Sequence, residues 1–220
     1  MAALFTMSQQ DEAALCADSL TTGFGAGTVA LQLALAQLLT AAYSDPLTPA
    51  PAAPFMPSPL HKWPNLNEDA ASGRRTIDIS GIMTTYIPAH WATRPTALIV
   101  QLGEPDVVSI AASGMTIGQT HTATLAILAA FNTQLGIPPS KMCWLGPWQN
   151  NGQAAQTLAD VIGQLRTDVT AFGGYYIDLN ASGVPPTTGV GGNSTDGIHL
   201  TAIGAPKVAA YAVSQMTFTS

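Results

Sequence analysis

Ser194-Thr195-Asp196-Gly197-Ile198-His199-Leu200-Thr201 is the stretch on which the reading of this chain turns. It sets a carboxylate three residues before an imidazole, in a Gly-containing turn that runs into a helix. An Asp so placed can fix the tautomer of a His and stabilise the imidazolium formed when the ring takes a proton. A D-x-x-H pair also arises by chance. It gains meaning from a second stretch, Ala17-Asp18-Ser19-Leu20-Thr21-Thr22-Gly23. There a serine follows the apolar run Ala13–Ala17 and precedes a Gly-rich loop. A nucleophile at the first strand end and its base at the last helix start can meet at one edge of a parallel sheet.

Working outward, five short apolar runs read as strands: Ala13–Ala17, a weak one before Gly73, Ala97–Leu102, Met142–Leu145 and Tyr175–Leu179. Helix-like segments lie between them, at Val29–Tyr43, Thr76–Trp91, Thr120–Gly136, Gln153–Phe172 and Ala205–Met216. Leu158, Val161, Ile162, Leu165 and Val169 recur at helical spacing. Apolar strands alternating with amphipathic helices imply parallel pairing with helices on both faces. Sites in such sheets gather where strand C-termini meet the following loops. Ser19, Gly103 and the loop after Leu179 fall at such ends. The stretch Ser44–Pro64 carries seven prolines, from Pro46 to Pro64, which exclude a helix or a central strand there. It reads as an extended surface loop, or as a flap that brings Phe55, Met56, Leu60 and Trp63 to a substrate.

Composition narrows the function. The chain has 220 residues, enough for one well-filled core, and is expected to form a single domain over 1–220 with the Pro-rich insertion at 44–64. It is 47% hydrophobic and 9% charged, the opposite of a disordered balance. With 7 Lys+Arg against 13 Asp+Glu and a net charge of −6, a phosphate-binding or nucleic-acid-binding surface is not expected. Cys16 and Cys143 lie in apolar runs and read as buried free thiols ahead of a disulfide. No Cys/His cluster suggests a metal. The longest apolar segment, Val29–Tyr43, holds Gln32 and Gln37 and is short for a membrane span. The start lacks the basic region of a signal peptide, which leaves the compartment open between cytoplasmic and virion or extracellular by another route. Oligomeric state stays open.

The ordered landmarks resemble the SGNH (GDSL-type) hydrolase family. Its G-D-S-L block appears as Ala17-Asp18-Ser19-Leu20, and its D-x-x-H-L block as Asp196-Gly197-Ile198-His199-Leu200. Between them, Ala71-Ser72-Gly73-Arg74-Arg75-Thr76 fits the second block, with Gly81 as a competing candidate. Leu98-Ile99-Val100-Gln101-Leu102 leading into Gly103-Glu104-Pro105-Asp106 fits the third. The resemblance implies a flavodoxin-like three-layer α/β/α fold with a mostly parallel five-stranded sheet. It implies an esterase needing no cofactor and no metal. Ser19 would be the nucleophile, His199 the general base and Asp196 its orienter. The backbone N–H groups of Ser19 and Gly73 would hold the oxyanion. The substrate would be a small-molecule or glycan ester, with an acetyl ester on a carbohydrate favoured by low charge, by Trp63, Trp91, Trp144 and Trp148, and by Thr/Asn/Gly loops.

One position departs from the pattern. The family's Asn, a third oxyanion donor, falls at Pro105, which has neither a side-chain donor nor a backbone N–H. Gln101, Asn150 or Asn151 could replace it; two donors could serve alone; or the domain could bind without catalysing. Acyl transfer would use the same residues. Blander readings stand beside these. Ser19 and Asp196 could be simple caps, and Asp18 and Asp106 read as structural. Glu104 and Asp106 read as a solvated pair at a strand end. His61, His90 and His121 read as surface or loop histidines, Asn150-Asn151-Gly152 as a turn, and Trp148 as either a sugar platform or core.

Overall fold

In the computed structural model, residues 4–8, 11, 13–17, 60–62, 75–81, 95–148, 155–197 and 199–219 are described. The strands are β1 (Phe5–Ser8), β2 (Ala13–Ala17), β3 (Leu60–Lys62), β4 (Ala97–Gln101), β5 (Met142–Leu145), β6 (Tyr175–Ile177) and β7 (Met216–Thr219). The helices are α1 (Glu104–Ala111), α2 (Ile117–Leu135), α3 (Ala155–Phe172) and α4 (Gly204–Ser214), with a further helical stretch at 76–81.

Strands β4 and β5 are buried at every position, as strands covered on both faces must be. Among the described residues they form the centre of a five-stranded sheet of order β3-β2-β4-β5-β6, in which every pairing is parallel. Successive side chains of a strand point to opposite faces, and the core divides accordingly. Leu98, Val100, Met142 and Trp144 join Ile127 and Phe131 of α2 and Val161 and Leu165 of α3. Ala97, Ile99, Cys143 and Leu145 join Val208, Ala209 and Ala212 of α4, with Phe5 and Met7 of β1. Helices thus cover both faces, giving the three-layer α/β/α arrangement. Each large side chain buried this way contributes about 1.5–3 kcal/mol relative to leaving it in water. Cys16 and Cys143 are buried free thiols, and burial pushes the Cys143 thiol up, which leaves it unreactive.

Local chemistry sets the ends of α2. Thr116 Oγ1 accepts from Gln119 N–H at 3.3 Å, and Gln119 Oε1 accepts from Thr116 N–H at 2.9 Å. This capping box starts the helix three residues before the expected Thr120. Gly136, at φ 73°, ends it in the left-handed conformation.

Several elements differ from expectation. Helix α1 occupies Glu104–Ala111, where a loop was expected; Pro105 sits in its first turn, where a missing N–H costs nothing. Strand β6 stops at Ile177, because the Asp178 carboxylate accepts from Asn180 N–H at 3.1 Å and starts a 3-10 turn over Leu179–Ser182. Helix α4 stops at Ser214, and Met216 instead opens β7, which pairs in parallel with β1. Within the Pro-rich stretch, Leu60–Lys62 forms an edge strand. Leu60 pairs with Ala13 at the amino end of β2, opposite the edge where substrate was expected. Phe55, Met56, Trp63, the expected helix Val29–Tyr43 and the weak strand before Gly73 lie outside the described residues.

Gly103 joins β4 to α1 at φ 131°, a conformation that side chains disfavour. A Cβ there would lie 2.9 Å from Pro147 Cγ and 3.0 Å from Leu165 Cδ1. Gly103→Ala is expected to cost about 1–3 kcal/mol, measured by urea denaturation. An unchanged midpoint would mean that neither the backbone angle nor the close packing constrains this turn.

Candidate active site

The loop before α4 is built from its own hydrogen bonds. Ser194 and Leu200 form an isolated antiparallel bridge. Ser194 Oγ donates to His199 O and accepts from Gly197 N–H, both at 2.8 Å. Gly197 supplies the turn at φ 90°. Thr201 Oγ1 donates to Gly192 O at 2.7 Å and accepts from the N–H groups of Ile203 and Gly204 where the helix begins. Asn193 is held through Pro185 O and Lys207 Nζ.

This frame brings Asp196 and His199 together. One carboxylate oxygen accepts from His199 backbone N–H at 2.7 Å, and the other lies 2.7 Å from His199 Nδ1. An ionised carboxylate only accepts, so Nδ1 is the protonated nitrogen and the neutral ring carries its lone pair on Nε2. His199 is largely buried, with 11% of its side chain exposed, while Asp196 is 48% exposed. The pair can hold one imidazole tautomer in one orientation, which is what a general base needs.

The loop sits at the carboxyl edge of the sheet. Leu200 shares a core cluster with Trp148, just beyond β5, and Leu179, just beyond β6. Strand β2 ends at Ala17, opposite Gln101 of β4, two residues short of Ser19 in the chain. Ser19, Gly73 and Asp18 lie outside the described residues. Gly81 is exposed and belongs to the helical stretch 76–81, not to a strand end.

Two carboxylates expected in solvent are buried, Glu104 at 4% and Asp106 at 0% exposure. Both hold loops of this edge. Asp106 accepts from Thr76 N–H at 3.0 Å, Thr76 Oγ1 at 2.5 Å and Thr120 Oγ1 at 3.1 Å. It thereby ties the stretch after Gly73 to α1 and α2. Burial pushes its carboxyl up, against the pull of these donors. Glu104 accepts from Gln101 Nε2 at 2.8 Å and from Trp148 backbone N–H. Trp148 Nε1 in turn donates to Val184 O at 3.0 Å, at the start of the loop that carries Asp196. Sequence reasoning missed this chain of contacts. Its one signal was Glu104 directly before a proline, a common way to open a helix.

The other candidates fall away from this chemistry. Gln101 is buried with its amide on Glu104, which argues against its serving as the missing oxyanion donor; Asn150 and Asn151 lie outside the described residues. Trp144 and Trp148 are core side chains, 0% and 1% exposed, and are not sugar platforms. His121 is half exposed and pairs with Asp168 at 2.7 Å. His61 lies in the edge strand β3, and His90 and Trp91 lie outside the described residues. Among the described residues, no three His, Cys, Asp or Glu side chains are placed to share a metal, and no helix is long and apolar enough to cross a membrane.

Solved structures share this architecture across nearly the whole chain. The acetylxylan esterase of Geobacillus stearothermophilus matches with a TM-score of 0.66 at 13% identity, over 96% of each chain. A protein described as a GDSL-like lipase from Parabacteroides merdae matches at 0.65 and 14%, over 97% of this chain and 98% of its own. A family 3 carbohydrate esterase of Clostridium thermocellum matches at 0.58 and 18%, over 95% and 94%. No protein-family model and no curated protein sequence matches the chain. The fold is that of the SGNH hydrolases.

Proposed function

We propose that the chain is a single-domain serine ester hydrolase, with Ser19 as nucleophile, His199 as general base and Asp196 as orienter. The observation that carries this reading is the 2.7 Å contact between His199 Nδ1 and Asp196 Oδ2, set at the carboxyl edge of an SGNH fold. In this mechanism Ser19 Oγ gives its proton to His199 Nε2 and bonds to the ester carbonyl carbon. The carbonyl electron pair moves onto oxygen, where the N–H groups of Ser19 and Gly73 stabilise it. Collapse breaks the bond to the alcohol oxygen, which takes the proton from His199. Water then attacks the acyl-serine and gives a proton to His199. Ser19 departs, recovers that proton, and the carboxylic acid is released. Asp196 stays ionised and stabilises each imidazolium.

The favoured substrate is an acetyl ester on a carbohydrate. Support comes from the low charge and from the esterases that share the fold, and no longer from Trp144 and Trp148. Pro105 favours a second reading, a non-catalytic binding domain, because losing an oxyanion donor costs about 10²–10³ in turnover. Hydrolysis of p-nitrophenyl acetate, butyrate and octanoate by wild type and Ser19→Ala separates the two. We expect the acetate to be cleaved fastest, and the variant to lose at least about 10⁴ of the rate. Equal rates for the two proteins would sink the serine mechanism and put the binding domain ahead.

A further inference from the structure

Three of the chain's five tyrosines meet in one cleft away from the Asp196–His199 pair. The cleft has a volume of about 270 Å³ and is lined by Tyr175, Tyr176, Asp178, Arg166 of α3, and Tyr211 and Gln215 at the end of α4. It runs along β6, the last strand of the sheet order. Gly146 N–H donates to Ile177 O at 2.8 Å, so the peptide groups of Ile177 face β5. Alternation along the strand turns those of Tyr176 outward, toward the cleft.

We infer that this cleft is a binding site for a neutral saccharide. A sugar offers apolar ring faces and hydroxyls that both donate and accept. The cleft supplies tyrosine rings, guanidinium and amide donors, a carboxylate acceptor and outward main-chain groups, which match both demands. Arg166 Nη2 lies 2.8 Å from Asp178 Oδ2, so its charge is balanced within the cleft and a phosphorylated ligand finds no excess cation. The same guanidinium lies over the Tyr176 ring, 5.5 Å from its centroid. The Tyr211 phenol keeps its donor proton at neutral pH as any tyrosine does, and burial and the neighbouring Asp178 push it further up. Tyr176 offers a ligand neither its hydroxyl, which is buried beside Gly146, nor its ring, which packs on the α2–α3 core and carries the Arg166 guanidinium; the rings open to a sugar are those of Tyr175 and Tyr211. Tyr211 lies seven residues along α4 from Gly204, roughly 10 Å at 1.5 Å per residue. The cleft is therefore a site separate from the Asp196–His199 pair, and none of the residues that line it belongs to the loop that carries that pair. The inference stands on the cleft itself and not on the esterase reading.

The test uses the full chain and unsubstituted β-1,4-linked hexaoses of xylose, glucose and mannose, titrated by calorimetry. At least one should bind, and Tyr211→Ala should weaken it by about tenfold or more while leaving hydrolysis of p-nitrophenyl acetate unchanged. In wild type, the amide resonances of Tyr176, Asp178 and Gln215 should shift on titration, which tests the site even if the variant folds poorly. No binding at several millimolar hexaose overturns the inference, as do shifts confined to the His199 loop. Saccharide binding without ester turnover would sink the esterase reading alone. Turnover that depends on Ser19, without saccharide binding, would sink the cleft alone.

Discussion

Asp196→Asn should lower kcat/KM on p-nitrophenyl acetate by about 10⁴-fold while leaving stability nearly unchanged. The asparagine oxygen can still accept from His199 backbone N–H, as Asp196 Oδ1 does at 2.7 Å. Its NH₂ would then face Nδ1. Two donors cannot share that contact, so the ring proton moves to Nε2 and the nitrogen facing the nucleophile can no longer accept a proton. Asp196 is 48% exposed, so the same change costs little in folding. His199→Ala removes the base outright and should lose about 10⁴–10⁶ of the rate. Steady-state kinetics paired with thermal melts check both. Asp196→Asn activity within about tenfold of wild type would exclude the pair from the chemistry.

Gly204→Ala is expected to destabilise the protein by about 3 kcal/mol, or roughly 6–12 °C in Tm for a chain of this length. Helix propensity alone argues the reverse, since alanine is better than glycine in a helix by about 0.8–1 kcal/mol. Packing decides the sign. A Cβ at Gly204 would lie 2.1 Å from Asn193 O and 2.9 Å from Asn193 C. Neither is the end of a flexible side chain. Asn193 O already accepts from Thr201 N–H at 3.0 Å, so the backbone cannot retreat without loosening the loop that carries Asp196. Turnover should therefore fall along with stability. A variant as stable as wild type would mean that the loop moves freely and that its hydrogen bonds do not fix the pair.

These residues also mark what was legible in the sequence. Strands β2 and β5 lie where their apolar runs end, because a central strand declares itself by composition. Asp196 and His199 were legible because three residues of chain and one glycine bring them together. Glu104 was not, because its burial depends on Trp148, 44 positions away. Asp106 reads as structural, and it is, but nothing local reveals that Thr76 is its partner. Helix α1 was obscured by a glycine, a proline and two acids, which suit a loop equally well. Strands β1 and β7 were missed because a four-residue strand is defined by its partner more than by its own pattern.

The β1–β7 pairing has a consequence for how the chain matures. Phe5 pairs with Met216, 211 residues further along the chain, so β1 is made long before the strand that satisfies it. At about 5–20 residues per second, the ribosome takes roughly 10–40 s to deliver its partner. Throughout that interval Phe5 and Met7, 1% and 0% exposed in the finished protein, have no complete core to enter. A nascent chain stalled before Met216 would therefore hold β1 without its partner strand, and such a fragment is expected to bind chaperones more than the finished fold does.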